Sequence, residues 1–377
     1  MTSWRKQSVG VPSRALVLCL DGFGPDYLAQ SEMPVLRQVA ARGFAVTGHS
    51  LLPSVTNVNT VALVTGAFPR EHGVTGNAYY DPGEGAGGLM EAARFVRAPT
   101  IFARARAAGW RTALVTAKAK LLGLLGQGAD ITVSAERPSP ALCARVGAPA
   151  PIYSLEVNYW VLAATRALIS GEGPDLVYAF TTDYAMHKYA PEDERSQEHL
   201  QRLDTLLGEI LEETPNLALF VTADHGMNAK YTAVDLEKWL AGQGIQATVV
   251  STIRDQYTAH HRNLSGSAYV YCAQPGDVPR AAELLRAHPA VEEVWPRAEA
   301  AAAFALLPER IGDLMVLARK DALFGELSEP AAEVRLRSHG SRHESHVPII
   351  GTTTLGYGPY LYNLDVTRAV QQVFFSC

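Results

Sequence analysis

The sequence predicts an α/β fold in which a mostly parallel central sheet carries helices on both faces and a smaller α+β cap lobe is inserted. Three observations predict it. Short, uniformly apolar runs such as residues 15–20 and 176–180 are typical of parallel strands buried on both faces. These runs alternate with amphipathic helical segments, as in right-handed βαβ units. Between residues 234 and 334 the rhythm changes to short strands around one helix.

The core is predicted to alternate between strands and helices along the chain. The first helix ends before Gly43 and a later one ends shortly before Gly171, and glycine favours helix termination. The predicted core strands are residues 15–20, 112–116, 176–180 and 217–221. The predicted core helices are residues 34–41, 99–108, 155–169 and 194–211.

The inserted lobe divides the chain into three predicted segments. Its own elements are predicted to be strands at 247–251, 268–271 and 314–318 and a helix at 278–287. The segments are the core at 1–233, the cap lobe at 234–334 and a return to the core at 335–377, which contains a last amphipathic helix. A lobe inserted beside a crevice is well placed to exclude water, so we expect a lid, with a stabilising appendage as the alternative.

Composition excludes several classes of protein. The 377 residues are 47% hydrophobic and 19% charged, which is typical of a soluble globular enzyme. The net charge of -5 and the lack of a basic run argue against a nucleic-acid partner. No apolar run is long enough to cross a membrane. The scattered cysteines, Cys19, Cys143, Cys272 and Cys377, fit a reduced compartment. We therefore expect a cytoplasmic protein that acts on a small molecule, with a homodimer as the assembly considered.

Charged side chains directly follow four of the predicted strands. They are Asp21, the pair Lys118 and Lys120, Asp183, and the pair Asp224 and His225. The ligand crevice of an open α/β sheet lies outside the carboxyl ends of its strands, so these side chains can converge although they are far apart in sequence. A single Asp after a strand is more often a turn or a helix cap. Charged residues at four strand ends together indicate a ligand-binding site.

Two of these positions indicate metal binding. Asp183 and His187 are four residues apart, so on a helical turn they lie on one face and can share one ion. Asp and His together suit borderline ions such as zinc. Asp224 and His225 would bind a second ion, and two ions about 4 Å apart suit phosphoryl transfer. A solvated histidine near a loop is the alternative for His187.

The segment 53–81 contains the candidate nucleophile. It opens with the hydroxyl cluster of Ser54 and Thr56, passes through an apolar run and reaches Asn77. Judged alone, the hydroxyl cluster is better explained as a helix N-cap, because Ser, Thr and Asn all cap well. The acidic and histidine residues at the strand ends favour a nucleophile instead.

These motifs resemble a known group of enzymes. Asp21-Gly22, Thr56-Asn57, Asp183-x-x-x-His187, Asp224-His225-Gly226 and Ser338-His339-Gly340 are similar to the alkaline phosphatase superfamily, nucleotide pyrophosphatase/phosphodiesterase branch. Within that branch, TAKAKLL, TTDYAMHKYAP and the closing SHG most resemble the phosphonoacetate hydrolases. The sulfatase signature, Cys or Ser followed by Pro-x-Arg, is absent around Thr56, which excludes a formylglycine sulfatase.

The resemblance implies an alkaline phosphatase-like fold and two zinc ions. It implies one zinc on Asp183, His187 and His339, and the other on Asp21, Thr56, Asp224 and His225. His343 and His346 compete with His339 in the same histidine-rich segment, and His339 is preferred because it alone lies in the Ser-His-Gly motif.

The implied reaction is hydrolysis of the C–P bond of phosphonoacetate to acetate and phosphate. Thr56 would attack phosphorus and form a phosphothreonine intermediate. Asn77 would hold a phosphoryl oxygen. Lys118 and Lys120, two apart in an extended segment, would converge on the substrate carboxylate. A pair of solvated loop lysines is the alternative for Lys118 and Lys120.

Two other functions are compatible with the sequence. A phosphodiesterase or nucleotide pyrophosphatase would keep the metals and bind a base or lipid in an aromatic slot, for which Tyr79, Tyr80 and Tyr184 are candidates. A non-catalytic metal-binding scaffold is the third hypothesis, and the presence of Thr56 argues against it because a scaffold needs no nucleophile.

Overall fold

The computed structural model describes residues 12–171 and 173–374. Cys377 and the outermost residues of the predicted segments 1–233 and 335–377 lie outside this part of the chain. The three remaining cysteines, Cys19, Cys143 and Cys272, are free thiols. The predicted α/β fold with a large, mostly parallel sheet is confirmed.

The strands are numbered in chain order over the described residues. They are β1 (Arg14–Cys19), β2 (Phe44–His49), β3 (Ala78–Asp81), β4 (Ala86–Leu89), β5 (Thr112–Thr116), β6 (Ile131–Ser134), β7 (Leu176–Phe180), β8 (Leu217–Thr222), β9 (Asn228–Val234), β10 (Ala247–Ser251), β11 (Ser267–Cys272), β12 (Val291–Pro296), β13 (Leu314–Ala318), β14 (Ala322–Phe324), β15 (Ala331–Ser338) and β16 (His346–Gly351).

The α-helices are numbered in the same way. They are α1 (Pro25–Gln30), α2 (Pro34–Arg42), α3 (Thr56–Thr65), α4 (Pro69–His72), α5 (Ile101–Ala107), α6 (Lys120–Leu125), α7 (Pro140–Val146), α8 (Glu156–Ile169), α9 (Tyr184–Lys188), α10 (Glu194–Glu213), α11 (Leu236–Gly242), α12 (Thr258–His261), α13 (Val278–Ala287), α14 (Arg297–Ala303) and α15 (Asp365–Phe374). None of the helices in the described residues is long and apolar enough to cross a membrane.

The central sheet has seven strands within the described residues, in the order β2-β16-β8-β1-β7-β5-β6. Strands β8, β1, β7, β5 and β6 are parallel, and β16 runs antiparallel to both of its neighbours. In the register of the three middle strands, Leu18 of β1 lies between Ala179 of β7 and Val221 of β8. The carboxyl ends of β8, β1 and β7 therefore meet at one edge.

Helices cover both faces of this sheet, as predicted. Leu16 and Leu18 of β1 belong to one core cluster with residues of α8 and α10, whereas Val17 and Cys19 belong to another with residues of α3 and α15. Successive side chains of β1 point to opposite faces of the sheet. Because both faces are covered, all of these side chains are apolar. The apolar runs seen in the sequence thus form the middle of the core.

The inserted region contains a second sheet. Strands β10, β11, β13 and β12 form an antiparallel sheet in that order, and one face of it packs against α11 and α13. The other face packs toward the core, where the Tyr269 hydroxyl donates to the Thr75 carbonyl oxygen over 2.8 Å. A three-stranded sheet, β14-β9-β15, connects the lobe to the core.

Candidate metal and catalytic centre

The predicted site residues at the strand ends come together. Asp21, Asp183 and Asp224 follow β1, β7 and β8, and each residue is at most 3% exposed. Gly22 is required at this edge: its φ is +76°, and a Cβ there would lie 3.2 Å from Asp183 Cβ. These three carboxylates therefore meet at the carboxyl edge of the sheet, as predicted.

Asp21, Thr56, Asp224 and His225 form one group, the Asp21 cluster. His225 Nε2 lies 3.4 Å from Asp21 Oδ1, 3.4 Å from Asp224 Oδ2 and 3.3 Å from Thr56 Oγ1. His225 Nδ1 lies 3.0 Å from the Gly226 carbonyl oxygen and donates to it, so Nε2 presents a lone pair to the carboxylates. Asp21 Oδ1 and Asp224 Oδ2 have no hydrogen-bond partner among the described residues. Such converging acceptors fit a cation.

The electrostatics of the Asp21 cluster also favour a cation. Burial, with repulsion from Asp183, raises the pKa of Asp224 to about 6. Burial and the neighbouring carboxylates Asp183 and Asp224 raise the pKa of Asp21 well above its usual value. Burial lowers the pKa of His225. Two carboxylates that resist ionisation beside a neutral imidazole gain most from an ion that neutralises them.

Asp183 is the centre of a second group, the Asp183 cluster, with His187, His260 and His339. Asp183 Oδ2 lies 2.8 Å from His187 Nε2 and 3.8 Å from His339 Nε2, and Asp183 Oδ1 lies 3.3 Å from His260 Nδ1. Helix α9 produces the closest pair, because Asp183 is its N-cap and His187 lies one turn later. His187 Nδ1 donates to the Arg337 carbonyl oxygen over 2.6 Å, which directs Nε2 to the carboxylate.

His339 bridges the two clusters. Its Nδ1 donates to the Ser54 carbonyl oxygen over 2.8 Å, and its ring stacks on that of His225 with centroids 3.4 Å apart. The competing histidines lie elsewhere: His343 pairs with Glu292 over 2.6 Å at the surface, and the ring of His346 packs against His49. Of the three, His339 alone reaches the Asp183 cluster.

Thr56 lies at the start of α3, yet its side chain does not cap the helix. The N-cap residue is Val55, and no side chain accepts a capping hydrogen bond there. Ser54 Oγ instead donates to the Ser341 carbonyl oxygen over 2.6 Å. The simple N-cap explanation of the hydroxyl cluster is therefore wrong. Asn77 Oδ1 accepts from the Asn57 backbone N–H over 3.1 Å, which fixes its carboxamide next to the start of α3.

Lys118 and Lys120 are buried and paired, so the explanation as solvated loop lysines is wrong. Lys118 Nζ lies 3.2 Å from Asp21 Oδ2 and 2.9 Å from Asp183 Oδ1, between the two clusters. Burial alone would lower the pKa of Lys118, but these carboxylates raise it well above its usual value. Burial would likewise raise the pKa of Asp183, but Lys118 and His187 hold it well below its usual value.

Lys120 faces the inserted lobe. Its Nζ lies 2.6 Å from Asp255 Oδ2 and 3.5 Å from Glu91 Oε1. The Tyr257 ring centroid lies 5.5 Å from Lys120 Nζ and 5.7 Å from Lys118 Nζ, so both ammonium groups lie near one aromatic ring. The lobe thus contacts the site directly, through a segment that contains Asp255 and Tyr257.

Comparison with known proteins agrees with this geometry. The model of the family "Type I phosphodiesterase / nucleotide pyrophosphatase" matches residues 15–344. The chain belongs to this family. Bis(5'-adenosyl)-triphosphatase ENPP4 from Bos taurus is 24% identical over 241 residues, which are 60% of this chain and 50% of ENPP4. The chain thus matches about half the length of that relative.

Solved structures of the family cover more of the chain. Phosphonoacetate hydrolase from Sinorhizobium meliloti 1021, in complex with phosphonoacetate, is 33% identical with a TM-score of 0.87, over 96% of both chains. Murine ectonucleotide pyrophosphatase/phosphodiesterase 5 is 17% identical with a TM-score of 0.70, over 96% of this chain and 95% of its own, and shows the shared fold. The resemblance inferred from the motifs is confirmed.

Proposed function

We propose that this chain is a dinuclear zinc hydrolase that cleaves the C–P bond of phosphonoacetate to acetate and phosphate. The observation that carries the proposal is Lys118: a buried ammonium group lies between the two carboxylate clusters, with Lys120 beside the same Tyr257 ring. A substrate with a carboxylate near its phosphoryl group matches that charge distribution. The structural similarity to a hydrolase solved with phosphonoacetate supports it.

The two clusters would each hold one zinc ion. One would bind to Asp21, Thr56, Asp224 and His225, and the other to Asp183, His187 and His339. Carboxylate oxygens and imidazole nitrogens are donors that zinc accepts, and the unpartnered oxygens of Asp21 and Asp224 fit this role. When bound, two zinc ions neutralise phosphoryl oxygens and lower the pKa of water.

Thr56 would act as the nucleophile. Its hydroxyl is buried and 3.3 Å from His225 Nε2, and it does not cap α3. Thr56 would lose its hydroxyl proton to water and form a bond between Oγ1 and phosphorus while the C–P bond breaks, and the electron pair of the C–P bond would leave as the enolate of acetate. The enolate would take a proton from water. A second water would then attack phosphorus and break its bond to Thr56 Oγ1, which releases phosphate and returns a proton to the Thr56 hydroxyl.

Lys118 and Lys120 would bind the substrate carboxylate. Cations bound to Asp21 and Asp183 would compete with Lys118 for their oxygens, which leaves its ammonium group to the substrate. Negative charge grows on the carboxylate as the enolate forms, so this contact stabilises the transition state more than the ground state. Lys120 keeps Asp255 as a partner at 2.6 Å, so we propose that Lys118 contributes more. Asn77 would hold a phosphoryl oxygen.

The cap lobe at 234–334 would serve as a lid over this site. Its segment from Asp255 to His261 contacts Lys120 and Asp183, on the edge of the sheet where the clusters lie. A lid placed there excludes water from the enolate. We further propose a cytoplasmic enzyme without a nucleic-acid or membrane partner, with a homodimer as its assembly.

A phosphodiester or nucleotide is the second candidate substrate. The aromatic rings of Tyr184 and Tyr153 both lie beside His260 next to Asp183, and such a wall could bind a base. Tyr79 packs instead against Phe95, and Tyr80 packs against Tyr271. Of the three tyrosines predicted to form an aromatic slot, Tyr184 is therefore the one that we propose for this role.

The test is product analysis with the zinc-loaded protein. Phosphonoacetate should yield acetate and phosphate in equal amounts, measured by proton and phosphorus NMR. The Thr56→Ala variant is the control for contaminating phosphatase. Phosphate from a nitrophenyl phosphodiester, with no acetate from phosphonoacetate, would replace this proposal by the second candidate.

A further inference from the structure

His260 is a buried histidine of the cap lobe that the sequence analysis did not single out. It lies on α12 and is 4% exposed. Neither of its ring nitrogens has a hydrogen-bond partner among the described residues. Buried polar groups are nearly always paired, so two unpaired nitrogens on one ring need an explanation.

The position of the ring points to a cation. His260 Nδ1 lies 3.3 Å from Asp183 Oδ1. One ligand atom each from Asp183, His187 and His260 lies within 4.8 Å of the others, whereas His339 groups with Asp183 and His225. The histidine grouped with Asp183 and His187 in the structure is therefore the one supplied by the lobe.

The protonation chemistry of imidazole also indicates a cation beside His260. A neutral ring has one N–H and one lone pair. If Nδ1 carries the proton, the lone pair of Nε2 is buried without a donor. If Nε2 carries it, the lone pair of Nδ1 faces a carboxylate oxygen at 3.3 Å. In both tautomers a Lewis acid would satisfy an otherwise unpaired acceptor.

The ring is held in place by its surroundings rather than by hydrogen bonds. Its centroid lies 5.1 Å from that of Tyr153, edge to face, and 5.5 Å from those of Tyr184 and His187. The adjacent His261 has a different environment, since its Nε2 lies 3.2 Å from Asp255 Oδ1. The Asn263 backbone N–H also donates to His261 Nδ1 over 3.0 Å. Both ring nitrogens of His261 are thus hydrogen-bonded, whereas His260 has only the 3.3 Å approach of its Nδ1 to Asp183 Oδ1.

We propose that His260 is a protein ligand of the metal ion at Asp183 and His187, so that the cap lobe and the core bind the same ion. This proposal rests on the metal centre of the proposed function, and it extends that centre by one residue outside the core. It gives the lobe a further role, because docking of the lobe and metal binding would strengthen each other.

The experiment compares His260→Ala with His261→Ala, a matched change at the next residue. Zinc affinity is measured by competition with a chromophoric chelator, and the cobalt-substituted proteins are compared by absorption spectroscopy. His260→Ala should weaken one of two sites by about 100-fold or more, since even loss of an outer partner costs about 10–100-fold. Its cobalt spectrum should change, and His261→Ala should keep both properties.

Equal losses in both variants would show that α12 only supports the segment, and would overturn the proposal. Wild-type affinity and spectrum in His260→Ala would also overturn it. Circular dichroism confirms folding, and His260→Gly with added imidazole provides a second variant in which the spectrum should recover. If wild type binds two ions but fails to cleave phosphonoacetate, the proposed substrate fails while the ligand assignment remains. If wild type binds no metal, both the proposed metal centre and the His260 ligand assignment are overturned.

Discussion

The Asp21 cluster and the Asp183 cluster are built from different parts of the chain. The Asp21 cluster takes its residues from the ends of β1 and β8 and from the start of α3, all in the core. The Asp183 cluster combines the end of β7 and helix α9 with His339 of the returning segment and His260 of the lobe. The first cluster can form within the core, whereas the second requires the lobe and the returning segment to dock.

This difference assigns distinct roles to the clusters. Thr56 belongs to the Asp21 cluster, so we expect that cluster to carry the nucleophile. Lys118 and the lobe meet at the Asp183 cluster, so we expect that side to select the substrate. Substitutions in the two clusters should therefore give different kinetic effects.

The largest effect is expected for Thr56→Ala in the Asp21 cluster. Turnover of phosphonoacetate should fall by about 10⁴-fold or more, because a covalent nucleophile has no substitute. Folding should be retained, since the hydroxyl is small, and zinc should stay bound because Asp21, Asp224 and His225 remain as ligands. Steady-state kinetics and metal analysis check this, with Ser54→Ala as the control hydroxyl deletion. Trapping of labelled phosphate on Ser54 would contradict the assignment.

Removing one ligand from each cluster separates the two metal sites. Asp224→Ala and His187→Ala should each lower zinc content from two ions toward one, and each should weaken the affected site by about 100-fold. Competition with a chelator measures both affinities. A chelated wild-type enzyme should lose activity and regain it with zinc. Activity undiminished by chelation, with no bound metal, would refute the dinuclear centre for both clusters.

The two lysines test whether the Asp183 side selects the substrate. Lys118→Ala should lower kcat/KM for phosphonoacetate by about 10–100-fold, because a charge-assisted contact contributes about 1.5–3 kcal/mol. Lys120→Ala should lower it less, since Lys120 is paired with Asp255. A nitrophenyl phosphodiester should be nearly unaffected by either change. Equal losses on both substrates would assign the lysines to the fold or the metal site.

The last comparison concerns stability without metal. The folded-state pKa of Asp224 is raised to about 6, so its contribution to stability is present at low pH and is lost as pH rises from about 4 through 6. In chelator, Asp224→Asn should be more stable than wild type at pH 7.5 by about 3 kcal/mol, and the gap should shrink toward pH 4.5. Urea unfolding measures it, and a pH-independent gap would contradict the electrostatic account.

The sequence was informative where a ligand followed a strand. Asp21, Asp183 and Asp224 were predictable because buried parallel strands are strongly apolar and their ends share one edge. The spacing of Asp183 and His187 was equally informative, since α9 places them one turn apart. The fold class and most core elements follow from the same apolar patterns.

The remaining features depended on contacts between distant segments. His260 follows no core strand. The only local signal for it in the sequence is that two histidines, His260 and His261, are adjacent. The pairing of Lys120 with Asp255 joins residues 135 apart, which no local pattern encodes. The hydroxyl cluster also misled local reasoning, because Thr56 starts a helix without capping it. The contacts of the cap lobe with the site could therefore not be predicted from sequence periodicity.

The central claim, that the two clusters together hydrolyse a carboxylated phosphonate, is tested most directly by a ratio of specificities. The measurement is kcat/KM for phosphonoacetate divided by kcat/KM for a nitrophenyl phosphodiester, in the zinc-loaded wild type and in Lys118→Ala. We predict a ratio well above one that falls by about 10–100-fold in the variant. A ratio below one in wild type, unchanged in Lys118→Ala, would contradict the account and identify a phosphodiesterase.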